Sequence, residues 1–266
     1  MPPFIRPLAD RFQVEAWLAI QRDLLKVARI LHPRAYGLGA KKAEQELQVT
    51  DLLDPRGQAF TLEFNYRSIR SLTARTSVLV EDAVREGIRE GLGVDDIVKR
   101  MDRLLEGRVA TVATIARTEA NRAANWGRFN GWRRSGVVRR KEAIATLDDR
   151  VRPDHLEAHG EVVPLDAVFH EGAAAGKLAP PWDPNCRCTI APVTGLSEPG
   201  RDREEADTFA REQGIDLAAK RHAIPGLVAF EDEYAAALAQ AWRAGKAHLI
   251  EAFRNANQGA VPIQEP

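Results

Sequence analysis

The chain has 266 residues, 44% hydrophobic and 29% charged, enough for one large or two modest domains with real cores. Lys plus Arg number 38 and Asp plus Glu 38, so the formal net charge is zero; this excludes a general nucleic-acid coat and leaves only local DNA contact. Charges interrupt every apolar stretch, so no membrane span is expected, and Met1-Pro2-Pro3-Phe4-Ile5-Arg6 lacks the basic start and apolar core of a signal peptide.

In chain order, Trp17, Ile20, Leu24, Val27 and Leu31 step by three and four, which predicts a helix that stops at Pro33. Residues 41–47 predict a second, shorter helix, and Asp54-Pro55-Arg56-Gly57 a turn. Ile69, Leu72, Leu79, Val80, Val84 and Ile88 share one face of a long helix over about 61–90, ended by Gly91 and Gly93. Val94, Ile97, Val98, Met101, Leu104 and Leu105 give the clearest amphipathic pattern, and a further helix is expected over about 109–134. From Ser135-Gly136 the character changes: residues 137–147, Glu161-Val162-Val163 and Thr189-Ile190-Ala191 predict short strands among prolines and a small-residue loop, Gly172 to Gly176. A charged linker follows over 197–205, then a helical tail with Phe230, Tyr234, Leu238, Trp242, Leu249 and Phe253 on one face, and a frayed end from 259. The predicted fold is therefore mainly α with a small α+β unit: a helical body over 1–134, a loop-rich subdomain over 135–193, and a linker with helical tail over 194–266.

Two constellations could carry chemistry. Between Gly107 and Lys141 stand Arg108, Arg117, Arg122, Arg128, Arg133, Arg134, Arg139, Arg140 and Lys141, with Glu119 as the only acid and Trp126, Phe129 and Trp132 interleaved. Such a stripe suits phosphates and stacked bases, and Arg133, Arg134, Arg139, Arg140 and Lys141 are its candidate nucleic-acid contacts; the competing reading is a solvated face paired with acids elsewhere. Within it, Glu119 and Arg122 lie three apart on a helix and can form an internal salt bridge.

The second constellation is Asp148-Asp149-Arg150, His155, Gly160, Pro180-Pro181 and Asn185-Cys186-Arg187-Cys188. Imidazole and thiolates are preferred zinc ligands, so His155, Cys186 and Cys188 are candidate metal ligands, with Asp149 or His159 available as a fourth donor; otherwise the thiols are small core residues. These are the only cysteines in the chain, which excludes a disulfide framework and points to a reducing compartment. A cysteine hydrolase built on Cys186 or Cys188 with His155 and Asp149 lacks any glycine-rich elbow, and no phosphate loop or zincin helix is present. No cofactor is expected, zinc being the one candidate.

The order of these motifs carries a resemblance. Glu90-Gly91-Leu92-Gly93-Val94-Asp95-Asp96-Ile97 precedes Ile115-Ala116-Arg117-Thr118-Glu119-Ala120-Asn121-Arg122; Ser135-Gly136-Val137, Leu147-Asp148-Asp149-Arg150 and His155 follow, then Pro180-Pro181 and Asn185-Cys186-Arg187-Cys188-Thr189. Over about 79–193 this series resembles the head morphogenesis family of tailed phages, minor head proteins related to the one in phage Mu. The resemblance implies a non-enzymatic minor capsid protein, present in few copies in the virion at the portal vertex. It implies the portal and other head proteins as partners, contact with packaged DNA, no membrane, assembly in the host cytoplasm, and a part in head assembly, genome packaging or ejection. It makes Arg117, Thr118, Glu119, Arg122, Asp149, Arg150 and Asn185 structural residues. Many members carry cysteine where this chain has Arg152, which counts against zinc and in favour of polar loop staples. Two rivals remain from other classes: a nuclease or toxin-like enzyme using His155 and Arg150, and a DNA-binding module working through Arg133 to Lys141.

Overall fold

The computed structural model describes residues 11–148, 150–194, 223–258 and 260. Long helices dominate: α1 (Arg11–Leu47), α2 (Pro55–Arg89), α3 (Val94–Glu106) and α4 (Val109–Ser135) precede the sheet, and α6 (Leu227–Ala256) follows it. Between them lie β1 (Arg140–Ile144), the single-turn α5 (Pro153–Glu157), β2 (Val162–Pro164), a 3-10 turn (Gly172–Ala174) and β3 (Thr189–Val193). The mainly α architecture with one small α+β region is as expected. The linker over 197–205 lies outside the described residues, as does the end of the chain from 259 apart from residue 260.

Pro33 corrects the sequence reading: it sits inside α1, which runs on through the segment expected to be a separate helix. Proline costs a helix one hydrogen bond, about 3 kcal/mol, but its fixed φ is itself helical. Here tertiary burial outweighs that cost, because Leu24, Ala28 and Leu31 before it and Ala35, Tyr36, Ala40 and Ala43 after it are all enclosed. α3 follows its pattern closely. Asp95 and Asp96 stand in its first turn and Arg103 in its last, matching the helix dipole, while Ile97, Val98, Met101 and Leu105 are buried.

By its packing the chain forms two compact units, each assembled from separated segments. The first takes the described parts of Met1–Ile30, Asn65–Ala116 and Tyr234–Pro266. In it the tail helix, from Tyr234 on, buries Tyr234, Leu238, Trp242, Leu249 and Phe253 of the apolar stripe read from its sequence. Trp242 is fully enclosed, donates its indole N–H to the Leu105 carbonyl at 2.9 Å, and stands 6.5 Å from the Trp17 ring. Glu106 accepts Lys246 at 2.7 Å and Arg243 at 3.2 Å, and Gln21 donates to Thr73 at 3.0 Å.

The second unit takes the described parts of Leu31–Phe64 and Arg117–Glu233. Its sheet has the order β2-β1-β3, antiparallel throughout, with Lys141 opposite Val163 on one side and Ala143 opposite Ile190 on the other. One apolar cluster fills it, gathering Phe129 and Trp132 of α4, Ala143, Val163 and Ile190 of the strands, and Phe169, Trp182, Cys186 and Cys188 of the loops. The C-terminal part of α1 lies almost in backbone contact with α4. A Cβ on Gly127 would stand 2.1 Å from the Tyr36 carbonyl oxygen, and one on Gly39 1.7 Å from that of Ala124. The Asn130 amide then donates to the Tyr36 hydroxyl at 2.8 Å.

Candidate functional site

The candidate metal ligands lie in the second unit, where α5 meets the segment leading into β3. α5 begins with Arg152 in extended backbone and Pro153 in its first turn, which sets φ without needing a donor. The 3-10 turn packs hard beneath it: a Cβ on Gly172 would meet the Asp154 carbonyl oxygen at 2.0 Å, and the residue's φ of +46° also favours glycine. Close packing on that side holds α5 with His155 turned inward, where it is buried.

Facing it, Pro180-Pro181 carries a cis peptide bond, and Asn185 adopts φ 61°, a left-handed conformation that asparagine tolerates well. Its backbone N–H donates to the Thr118 hydroxyl at 2.9 Å, tying the loop to α4. The next residues present both thiols to the imidazole. His155 Nδ1 lies 3.2 Å from Cys188 Sγ and 3.9 Å from Cys186 Sγ, while Nε2 stands 3.0 Å from Asp183 Oδ2. Trp182 closes on the ring edge-to-face at 5.6 Å between centroids. Arg152 donates to the Pro184 carbonyl at 2.8 Å and sits 3.8 Å from Asp183.

Polar clamps hold this segment from outside. The Cys188 carbonyl accepts side-chain amides from Asn121 and Asn125 of α4, both at 3.3 Å, and the Arg187 carbonyl accepts the Thr146 hydroxyl at 3.0 Å. Thr189 donates to Asn125 at 2.9 Å and accepts from Arg128 at 3.1 Å. Arg187 binds Asp148 through both guanidinium ends, one at 2.8 Å, and this hydrogen bonding holds the Asp148 carboxyl down at about 2. The two thiols share their proton unequally: hydrogen bonding from Cys188 pulls Cys186 below the ordinary thiol range, and the same bond pushes Cys188 far above it.

The structural motif of α4 divides into separate roles. Glu119, buried, pairs with Arg122 Nε at 3.0 Å, the spacing read from the sequence, whereas Arg117 reaches Asp232 at 3.3 Å on the surface. Thr118 holds Asn185, as above. Asp149 lies outside the described residues. Arg150 differs from its expected place. Its side chain is exposed and 3.7 Å from Asp148, so the loop staple is Asp148 with Arg187, and no His155–Arg150 pair forms. His159 accepts the Ala145 N–H at Nδ1, 3.1 Å away.

The basic cluster is likewise partly consumed. Lys141 is completely enclosed, donating to the Leu165 and Ala167 carbonyls at 2.7 Å between the Phe129 and Phe169 rings, so it cannot meet a nucleic acid. Burial pushes its pKa down to about 8, against the opposing pull of the Asp166 carboxylate. Arg133 pairs with Asp166 at 2.8 Å, and Arg134 with Asp51 at 3.5 Å and the Leu53 carbonyl. Both line an open cleft of about 600 Å³ whose rim also carries Arg139 and Asp54. Arg139 and Arg140 are exposed.

Sequence reasoning did not single out Glu46 or Asp183, and it read Arg128 and Trp132 only as members of the basic stripe. Glu46 accepts Arg128 Nε at 3.0 Å and the Trp132 indole at 3.1 Å, with Arg128 fully buried. Their separation of 82 residues left no local pattern to read.

Residues 79–191 match the family described as Phage Mu protein F like protein. Among curated proteins, an uncharacterized protein of Methanocaldococcus jannaschii is 32% identical over 42% of this chain and 17% of its own length. The minor head protein GP7 of Bacillus phage SPP1 is 28% identical over 41% of this chain and 38% of its own. The NAD(+)–arginine ADP-ribosyltransferase EFV of Enterococcus faecalis is 27% identical over 52% of this chain and 30% of its own. The chain thus spans well under half the length of these relatives, and no solved structure matches it.

Proposed function

Residues 79–191 of this chain form a segment of the Phage Mu protein F like family, and from that premise we propose that the protein is a minor head protein of a tailed phage. In this reading it acts in head morphogenesis by being bound, not by turnover. It sits in the virion at the portal vertex, contacts the portal and other head proteins, and assists genome packaging or ejection. The observation that carries the reading is that this chain is similar both to the family, over residues 79–191, and to a protein named as a phage minor head protein.

The chemistry of the motif supports a structural role. His155, Cys186 and Cys188 are each less than 5% exposed, so no sulfur or imidazole nitrogen stands where a substrate could reach it. Asn121, Asn125, Thr118 and Thr146 spend their side chains on holding backbone, the behaviour of a frame that keeps a surface in shape.

The test is whether the protein is found in purified particles and co-elutes with the portal protein when the two are expressed together. Presence in few copies per particle and a stable complex with the portal are expected. A protein absent from particles, or one that transfers ADP-ribose from NAD+ to an arginine substrate, would overturn the proposal.

A further inference from the structure

We infer that Cys186, Cys188 and His155 bind a zinc ion that pins α5 to the segment entering β3, with Asp183 orienting the imidazole from behind. The donor atoms of these three residues lie within 4.8 Å of one another. Tetrahedral zinc, with bonds of about 2.3 Å to sulfur and 2.0–2.1 Å to nitrogen, places its ligand atoms roughly 3.5–3.8 Å apart. The observed Nδ1–Sγ separations of 3.2 and 3.9 Å straddle that spacing, so an ion enters with shifts of a few tenths of an ångström.

The other ring nitrogen supports the same assignment. Nε2 faces both the Asp183 carboxylate at 3.0 Å and, more distantly, Arg152 Nη1 at 3.3 Å; the shorter contact is to a group that only accepts, so Asp183 takes the Nε2 N–H and leaves the Nδ1 lone pair directed at the two sulfurs. A carboxylate on the remote nitrogen is the usual companion of a zinc-bound histidine, fixing tautomer and ring orientation and raising ligand basicity. Charge is balanced as well. Two thiolates neutralise the ion, and the Arg152 guanidinium stands 3.8 Å from Asp183.

Among the described residues the site offers three protein donors, since His159 Nδ1 is already engaged by the Ala145 amide. The fourth position then takes water, and affinity falls below that of a closed four-ligand site. The inference stands on these residues alone and does not depend on the proposed head role.

The experiment uses the full chain, purified under reducing conditions without a nickel column. Metal content is measured by mass spectrometry, and Co(II) is then titrated into chelator-treated protein. Equimolar zinc is expected, together with the thiolate-to-cobalt charge-transfer band and visible bands of tetrahedral cobalt. Cys186→Ser with Cys188→Ser should abolish both. Should that variant not fold, Asp183→Asn retains all three ligands, and its zinc affinity against a chromogenic chelator should fall roughly 10–100-fold. Protein that is free of zinc and binds no Co(II) would overturn the assignment, as would zinc retained in a folded double-serine variant, or an unchanged affinity in Asp183→Asn.

Discussion

Arg128 is fully buried, and its charge is answered by Glu46, which also accepts the Trp132 indole. Breaking a buried ion pair from one side strands the other charge at a cost of about 3–5 kcal/mol, whereas removing both partners is often near neutral. Glu46→Ala should therefore lower unfolding free energy by about that amount, and Glu46→Leu combined with Arg128→Met should recover most of it in chemical denaturation. His32 gives a second prediction at this scale. The Thr61 hydroxyl donates to the Gln58 carbonyl at 3.0 Å, so it accepts from His32 Nε2 at 3.1 Å, and the ring is held neutral. Burial first, then the Arg122 charge, push its pKa from 6.5 to about 3. The unfolded chain binds this proton below pH 6.5 and the folded chain only near 3, so stability is lost as pH falls across that window. At pH 4.5 the loss attributable to His32 is about 2–3 kcal/mol, and a folded His32→Gln variant should show a correspondingly flatter stability profile.

At the level of elements, the crossing of α1 and α4 in the second unit depends on what is missing from Gly39 and Gly127. Gly127→Ala sets a methyl 2.1 Å from the Tyr36 carbonyl oxygen, where no rotamer can relieve it. The helices must separate, and we expect a loss of at least about 1–3 kcal/mol, read as a lowered thermal midpoint with helix content retained. Gly37→Ala, with nothing within 4 Å, is the control and should change stability little. Most elements were legible in the sequence. α3 and α6 follow their apolar spacing; β1 falls within the segment read as β, while β2 and β3 overlap theirs and run one and two residues further. Pro33 misled because local propensity speaks only for the helix, while burial on both sides of it decides. The site was half legible. Cys186, Cys188 and His155 were identifiable by residue type, but Asp183 and Glu46 were not, and Lys141 was read as a nucleic-acid contact when it is buried, because their partners come from remote segments that carry no common period.

For the molecule as a whole, zero net charge and the pairing of Arg133 and Arg134 leave a small basic surface. Arg139 and Arg140 are the exposed remainder of the cluster. If these two supply the phosphate contacts, duplex DNA binding should be weak, with a log–log salt slope of about −2 or shallower. A slope several times steeper in a titration from low to moderate salt would show a DNA surface that the cluster does not account for. Finally, each compact unit draws on segments far apart along the chain. During synthesis, the apolar faces of α1 and the later part of α2 emerge from the ribosome long before α6, which completes their unit. Holding those faces apart in the meantime is a task for chaperones, and the nascent chain should be more aggregation-prone than its finished fold.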